Sequence, residues 1–273
     1  MQKLSMSEIT TYRWSFEEDL ENLQEANYES VSIWLQKLND YGEEKGIDLL
    51  ATSSLEVSSV LWAGGFTGSD GRSFRESIKE TIHALRVSAA VEAGCLVLYT
   101  GGRNNHTLRH ANRLVQTALD ELLPIAEVVE VPLAIEPMHP ACATEWTFLT
   151  DLEQTVELVE QYDTPYLKMA CDTYHFSLHQ CSPLLIERLV PHLALIHLAD
   201  RRVAPSIDQE RCRLGTGQLP LEKIVATAID AGFEGDFDVK LMGCEIEPAS
   251  YWTILEQSQL AFAKLMSACP QFS

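Results

Sequence analysis

The sequence predicts an α/β protein built as a single (β/α)8 barrel, and three observations carry that prediction. Apolar strand segments alternate with helical segments from one end of the chain to the other, eight of each. Three successive strand segments end in a side chain that binds metals or moves protons. They are Pro132-Leu133-Ala134-Ile135-Glu136-Pro137, Leu167-Lys168-Met169-Ala170-Cys171-Asp172 and Leu193-Ala194-Leu195-Ile196-His197. An acid or imidazole at the end of an apolar strand is costly unless paired or bound, and the C-terminal mouth of a parallel barrel gathers such groups. Finally, the 273 residues suit a fold that typically uses about 250.

The elements follow in order. The first strand is expected near 8–13 and its helix near 16–26, where Ser15 and Glu18 form a capping box that satisfies orphan N–H groups. The second strand is expected near 28–33, with a helix near 34–46. The third, near 47–57, contains Ala51-Thr52-Ser53-Ser54, weak strand material; its helix spans about 73–93. Strand four lies near 95–100. The helix after it, near 106–129, places Leu108, Ala111, Leu114, Val115, Ala118, Leu119, Leu122 and Leu123 on one stripe. Strands five to eight are expected near 132–137, 165–172, 193–198 and 235–242. Their helices are expected near 151–161, 182–190, 220–231 and 248–267. Thr150 with Glu153 suggests a second capping box, and Gly232 and Gly235 punctuate the last helix-to-strand turn. With no low-complexity linker and no internal repeat, residues 1–273 are expected to form one domain.

Charge narrows the function. Forty acidic residues against twenty basic ones give a formal charge of −20, which repels phosphate backbones and anionic membranes. Neither nucleic acid nor a membrane surface is therefore an expected partner. Seven cysteines, an odd number with no CxxC pair, and no signal peptide suggest reduced thiols in a cytoplasmic protein. No apolar run approaches the roughly 18 residues needed to span a bilayer.

Strand alternation identifies inward-pointing side chains. Ala134 and Glu136 share a face, as do Lys168, Ala170 and Asp172, then Leu195 and His197, then Asp238, Lys240 and Met242. At the mouth, Glu136, Asp172, His197 and Lys240 are expected to converge. Two carboxylates and an imidazole suit Mn²⁺, Mg²⁺, Co²⁺ or Zn²⁺; taken singly, each group is as readily an ordinary ion pair or hydrogen bond at a loop edge. Lys168 lies roughly 13 Å below Asp172 and reads as a paired interior lysine. Trp14, Trp62 and Phe66 are candidates to cover a ligand's apolar face, with packing at the barrel rim as the alternative. The run Trp62-Ala63-Gly64-Gly65-Phe66-Thr67-Gly68 has no phosphate-loop pattern and reads as a flexible loop at the site. Residues 101–106 either bind substrate or form a plain turn with a helix start. His139 either touches substrate or sits on an exposed loop.

Longer motifs make the chain resemble the sugar phosphate isomerase/epimerase superfamily, the xylose-isomerase-like TIM barrels. They are Leu133-Ala134-Ile135-Glu136-Pro137-Met138-His139-Pro140, Cys171-Asp172-Thr173-Tyr174-His175, Ile196-His197-Leu198-Ala199-Asp200, Arg211-Cys212-Arg213-Leu214-Gly215-Thr216-Gly217 and Gly232-Phe233-Glu234-Gly235. The resemblance runs over nearly the whole chain. It implies that Glu136, Asp172 and His197 are ligands of a divalent metal, with Glu136 also moving a proton. It implies that His175 contacts a substrate oxygen, and that Arg211, or its competitor Arg213, holds a substrate hydroxyl or phosphate. The chain departs from the family at Lys240, where a glutamate is usual as both ligand and second acid/base. Two acids and one cation leave a net −1 before any metal binds, so the metal is expected to bind weakly or not at all, with Lys240 bridging Glu136 and Asp172.

The implied reaction is isomerisation or epimerisation of a sugar or sugar phosphate: a proton leaves the carbon next to a carbonyl and returns elsewhere. A metal would stabilise the enediolate, with Glu136 on one face and Lys240 or its substitute on the other. The alternatives are an inosose-type dehydratase on the same barrel, or a repurposed carbohydrate-binding barrel with a degraded metal site. One branch of the superfamily cleaves DNA at abasic sites, but its further metal ligands are not found here and the −20 charge opposes it. The expected partner is a small sugar or polyol; a homo-oligomer is a family expectation.

Overall fold

The computed structural model describes residues 2–176 and 180–269. Eight parallel strands close into a barrel in sequence order, β1 pairing with both β2 and β8. The strands are β1 (Leu4–Ser7), β2 (Ser30–Trp34), β3 (Glu56–Gly64), β4 (Leu96–Tyr99), β5 (Leu133–Ile135), β6 (Leu167–Asp172), β7 (Leu193–Leu198) and β8 (Asp236–Val239). The helices between and after them are α1 (Phe16–Glu25), α2 (Leu35–Tyr41), α3 (Glu43–Thr52), α4 (Phe74–Ala90), α5 (Leu108–Val129), α6 (Leu152–Glu160), α7 (Pro183–Leu189), α8 (Leu221–Asp230) and α9 (Tyr251–Ser267). The fold is a TIM barrel.

Two cores stabilise it. A small one inside the barrel holds Ile9, Leu61, Cys95, Val97, Ala134, Ala170 and Leu195. A much larger one lies between the strands and the helical ring. The inner layer is small because hydroxyls share the interior: Ser5 bonds Ser58 at 2.8 Å and Ser32 bonds Ser59 at 2.7 Å. All seven cysteines are free of disulfides, and no described helix is long and apolar enough to cross a membrane.

Four expectations need correction. The first strand is Leu4–Ser7, and 8–13 is the turn after it. There, side chains take over the role of ladder bonds: the Thr10 hydroxyl donates to the Val239 carbonyl and accepts from the Leu241 N–H, and Glu8 Oε2 accepts from the Trp34 N–H at 2.7 Å. The third strand starts at Glu56, since 47–52 continues a helix that Gly42, at φ +109°, separates from α2. Trp62, Ala63 and Gly64 therefore belong to β3 instead of a loop. A Cβ on Gly64 would lie 1.9 Å from the Tyr99 carbonyl oxygen, so only glycine lets β3 and β4 approach so closely. The cap of α6 is Asp151, accepting from Gln154 N–H, in place of a Thr150–Glu153 box; the Ser15–Glu18 box opens α1 as expected. Lys168 donates to the Pro191 carbonyl at 3.0 Å, with no carboxylate partner among the described residues.

Beside the mouth, α1 and α2 are fastened by buried charges. Lys37 pairs with Asp19 and donates to the carbonyls of Glu8 and Thr11. Burial pushes both acids up, Asp19 to about 6 and Glu8, which also feels the Asp19 charge, well above the usual carboxylate range.

Candidate active site

The ends of β5 to β8 deliver the site. Glu136 follows β5 and is fully buried, its N–H on the Leu98 carbonyl. Asp172 ends β6 and caps the short turn that carries His175, its Oδ1 accepting from Tyr174 N–H at 2.9 Å. His197, on β7, stands in register with Asp172 on one side and Asp238 on the other. Lys240 follows β8 with its N–H on the Leu198 carbonyl. Each strand alternates inward and outward, so Glu136, Asp172, His197 and Lys240 face the interior near the C-terminal ends of their strands, Lys240 two residues beyond the Asp238 that pairs with His197.

Lys240 Nζ lies 2.5 Å from Glu136 Oε1 and 3.4 Å from Asp172 Oδ2. The loop after β7 brings in a second cation: Arg211 is 2 % exposed and its Nη2 is 2.7 Å from Asp172 Oδ2. Its guanidinium stacks on Tyr174 at 4.3 Å and is steadied by Gln209. The charge count is thus neutral, correcting the net −1 expected from the sequence. Burial alone would raise Asp172, but Arg211 and then Lys240 outweigh it and hold the carboxyl well below its usual range.

The imidazoles are a different matter. His197 Nδ1 meets Asp238 Oδ2 at 2.8 Å, and its Nε2 has no partner. Burial, then the Lys240 charge, drives His197 well below its ordinary value, while burial raises Asp238 well above the usual carboxylate range. Burial brings His175 down to about 3, and neither of its ring nitrogens has a partner among the described residues. Three buried imidazole nitrogens without partners are an open demand for a ligand.

An aromatic wall closes one side. Trp62 Nε1 donates to Glu136 Oε2 at 3.1 Å, and its ring lies 5.1 Å from Lys240 Nζ. Trp146 packs on Trp62 at 5.7 Å and on Tyr99 at 6.1 Å. Sequence reading missed Trp146, which sits in an irregular loop without periodicity, and Gln209. It also gave no role to Asp238, although alternation placed it on the inward face with Lys240.

Other expected contributors lie elsewhere. Arg213 bonds Gln257 on α9 at 2.9 Å. Trp14 packs edge-on against Tyr251 and Trp252 of the same helix. Phe66 is buried in the large core. His139 caps the turn Pro140–Cys142 and lines a cleft of about 730 Å³ with Thr150, Gln180 and Arg188. Residues 101–106 form a tied turn, with Gly102 N–H on Ser69 and His106 Nε2 against the Thr67 carbonyl. The Gly215-Thr216-Gly217 turn serves structure: Asp200 accepts from the N–H groups of Gly217 and Leu219, and a Cβ on Gly217 would lie 2.2 Å from Asp200 Oδ1.

Donor atoms of Glu136, Asp172 and His175 lie within 4.8 Å of one another, whereas His197 is outside that group. These are fitting ligand types for a divalent ion. The surroundings do not fit one. Ligand bonds near 2.0–2.6 Å would place an ion about 4 Å from the ammonium that touches the same oxygens. Repulsion there is about 8 kcal/mol at an effective dielectric near 20. The carboxylates are already neutralised by Lys240 and Arg211.

The profile of the xylose isomerase-like TIM barrel family matches residues 20–256. The chain belongs to that family. Solved structures with the same xylose isomerase-like fold include a protein from Sinorhizobium meliloti 1021, 22 % identical with a TM-score of 0.88 over 98 % of both chains. An IolI protein with a bound zinc atom is 19 % identical, TM-score 0.85, over 97 % of this chain and 98 % of that one. An L-ribulose 3-epimerase is 15 % identical, TM-score 0.77, over 100 % and 96 %. A search of curated proteins found no match.

Proposed function

We propose that this protein is an isomerase or epimerase acting on a small polyhydroxylated carbonyl compound, a sugar or an oxidised polyol. The observation that carries the reading is the buried cluster at the barrel mouth: Glu136, Asp172 and His175 within 4.8 Å of one another, beside imidazole nitrogens that have no partner among the described residues. Proton transfer next to a carbonyl needs a base close to the carbon and neutral donors for the substrate's oxygens. Glu136 is the base. Its two oxygens hold Lys240 and Trp62, and each keeps a further lone pair for a proton. His175, uncharged at neutral pH, meets substrate hydroxyls. Trp62 and Trp146 pack against the ring carbons and exclude water. Family membership supports this reading, and one of the structural neighbours is an L-ribulose 3-epimerase.

The test is exchange of the carbon-bound proton in D₂O, followed by NMR across keto sugars, their phosphates and keto-inositols. Deuterium should enter next to the carbonyl of at least one compound, and Glu136→Gln should lose at least 100-fold in rate. An absence of exchange throughout, with binding of the same compounds intact, would replace the reading with that of a carbohydrate-binding barrel.

A further inference from the structure

We infer that the ammonium of Lys240, instead of a divalent ion, is the resident positive charge of this site, and that it is the group a substrate's developing oxyanion meets. The inference rests on the proposed function and identifies how the site does without a metal.

Four observations carry it. Lys240 Nζ contacts both carboxylates that a metal would need, at 2.5 and 3.4 Å. Arg211 occupies the remaining direction on Asp172 at 2.7 Å, so the acids are matched charge for charge within the chain. The side chains of Glu136, Asp172 and Arg211 are unexposed and that of Lys240 is 1 % exposed, so water provides no other balancing charge. Finally, the unpartnered nitrogens of His175 and His197 lie beside this charged set and require a neutral hydrogen-bonding ligand; a second cation would be repelled.

The chemistry is complete without a metal. Glu136 removes the proton, the electron pair moves through the carbon–carbon bond onto the carbonyl oxygen, and the Lys240 ammonium faces the negative charge that forms there. For isomerisation, the hydroxyl proton on the deprotonated carbon passes to the enediolate oxygen at Lys240, the carbonyl forms on that carbon, and Glu136 returns its proton to the former carbonyl carbon, restoring the enzyme. Nothing is oxidised or reduced. Unlike a divalent ion, the ammonium is covalently attached, so no chelator removes it.

Metal binding tests the inference independently of turnover. Purified native protein, Lys240→Glu and Lys240→Met are titrated with Mn²⁺ and Zn²⁺ by calorimetry, and metal content is measured by mass spectrometry after dialysis. Native protein should retain well under one ion per chain, and Lys240→Glu should bind at least about 100-fold more tightly. Lys240→Met, which removes the repulsion without adding a ligand, should fall between them. One tightly held ion per native chain overturns the inference, and so does a folded Lys240→Glu protein with unchanged affinity. If Lys240→Glu fails to fold, the native titration and Lys240→Met decide. Native protein that exchanges protons while holding tight metal sinks this inference but leaves the isomerase reading standing. Metal-free native protein without exchange sinks the isomerase reading and the oxyanion role with it, and leaves standing only Lys240 as the resident positive charge.

Discussion

Lys240 and Arg211 meet on a single atom. Both approach Asp172 Oδ2, at 3.4 and 2.7 Å, one from the end of β8 and the other from the loop after β7. One carboxylate oxygen thus organises two buried cations, and its removal would leave Arg211 without a charged partner and Lys240 with Glu136 alone.

Replacing Asp172 by Asn should therefore be costly. Breaking a buried charge network typically destabilises by 3–5 kcal/mol. The pH dependence follows from the depressed carboxyl of Asp172. A lowered folded-state value stabilises above the unfolded value near 4 and is lost as pH falls below it. The deficit of Asp172→Asn in melting temperature should be full at pH 7 and shrink at pH 3. A deficit independent of pH would show that packing, not charge, is what the substitution removes.

Trp62→Phe removes the indole N–H that Glu136 Oε2 accepts while keeping an aromatic wall. Deuterium exchange should slow by about 10-fold, since Glu136 loses one of the contacts that orient it. Circular dichroism should be unchanged. An unaltered rate would free Trp62 from any part in positioning Glu136.

Glu8 gives a prediction of opposite sign. Its folded-state value is raised, first by burial and then by Asp19. Its contribution is therefore fully present below the unfolded value near 4.3 and lost as pH rises through the folded one. Glu8→Gln keeps an oxygen for the Trp34 N–H and carries no charge. Its melting temperature relative to native should climb with pH, gaining about 2–4 °C by pH 9, the shift expected for about 1 kcal/mol in a chain of this size. A difference that stays flat between pH 5 and 9 would contradict the raised value.

Gly217→Ala probes the loop behind the site. The new Cβ would sit 2.2 Å from Asp200 Oδ1 and 2.5 Å from the Arg201 carbonyl, so the Asp200 bonds to Gly217 and Leu219 must yield. Loss of about 1–3 kcal/mol is expected, read as a lower urea midpoint with an unchanged slope. An unchanged midpoint would mean that the loop re-forms around the methyl group.

The sequence by itself determined the barrel, because strand and helix periods are local properties: alternation at 2 along β6 and β7, spacing near 3.6 along α5. It also placed Glu136, Asp172, His197 and Lys240 at strand ends, since an acid or base at the end of an apolar run is visible in one dimension. Its failures at β1 and β3 have one cause. The side chains of Thr10 and Glu8 and the backbone of Gly42 decided those boundaries through bonds and backbone angles that hydrophobic pattern does not register. Only the tertiary structure decided which charges meet. Arg211 and Arg213 are two residues apart and chemically equivalent on paper. One is buried on Asp172 and the other bonds Gln257 at the surface. That choice depends on the path of a long loop through space, and with it the balance of charge at the centre of the barrel.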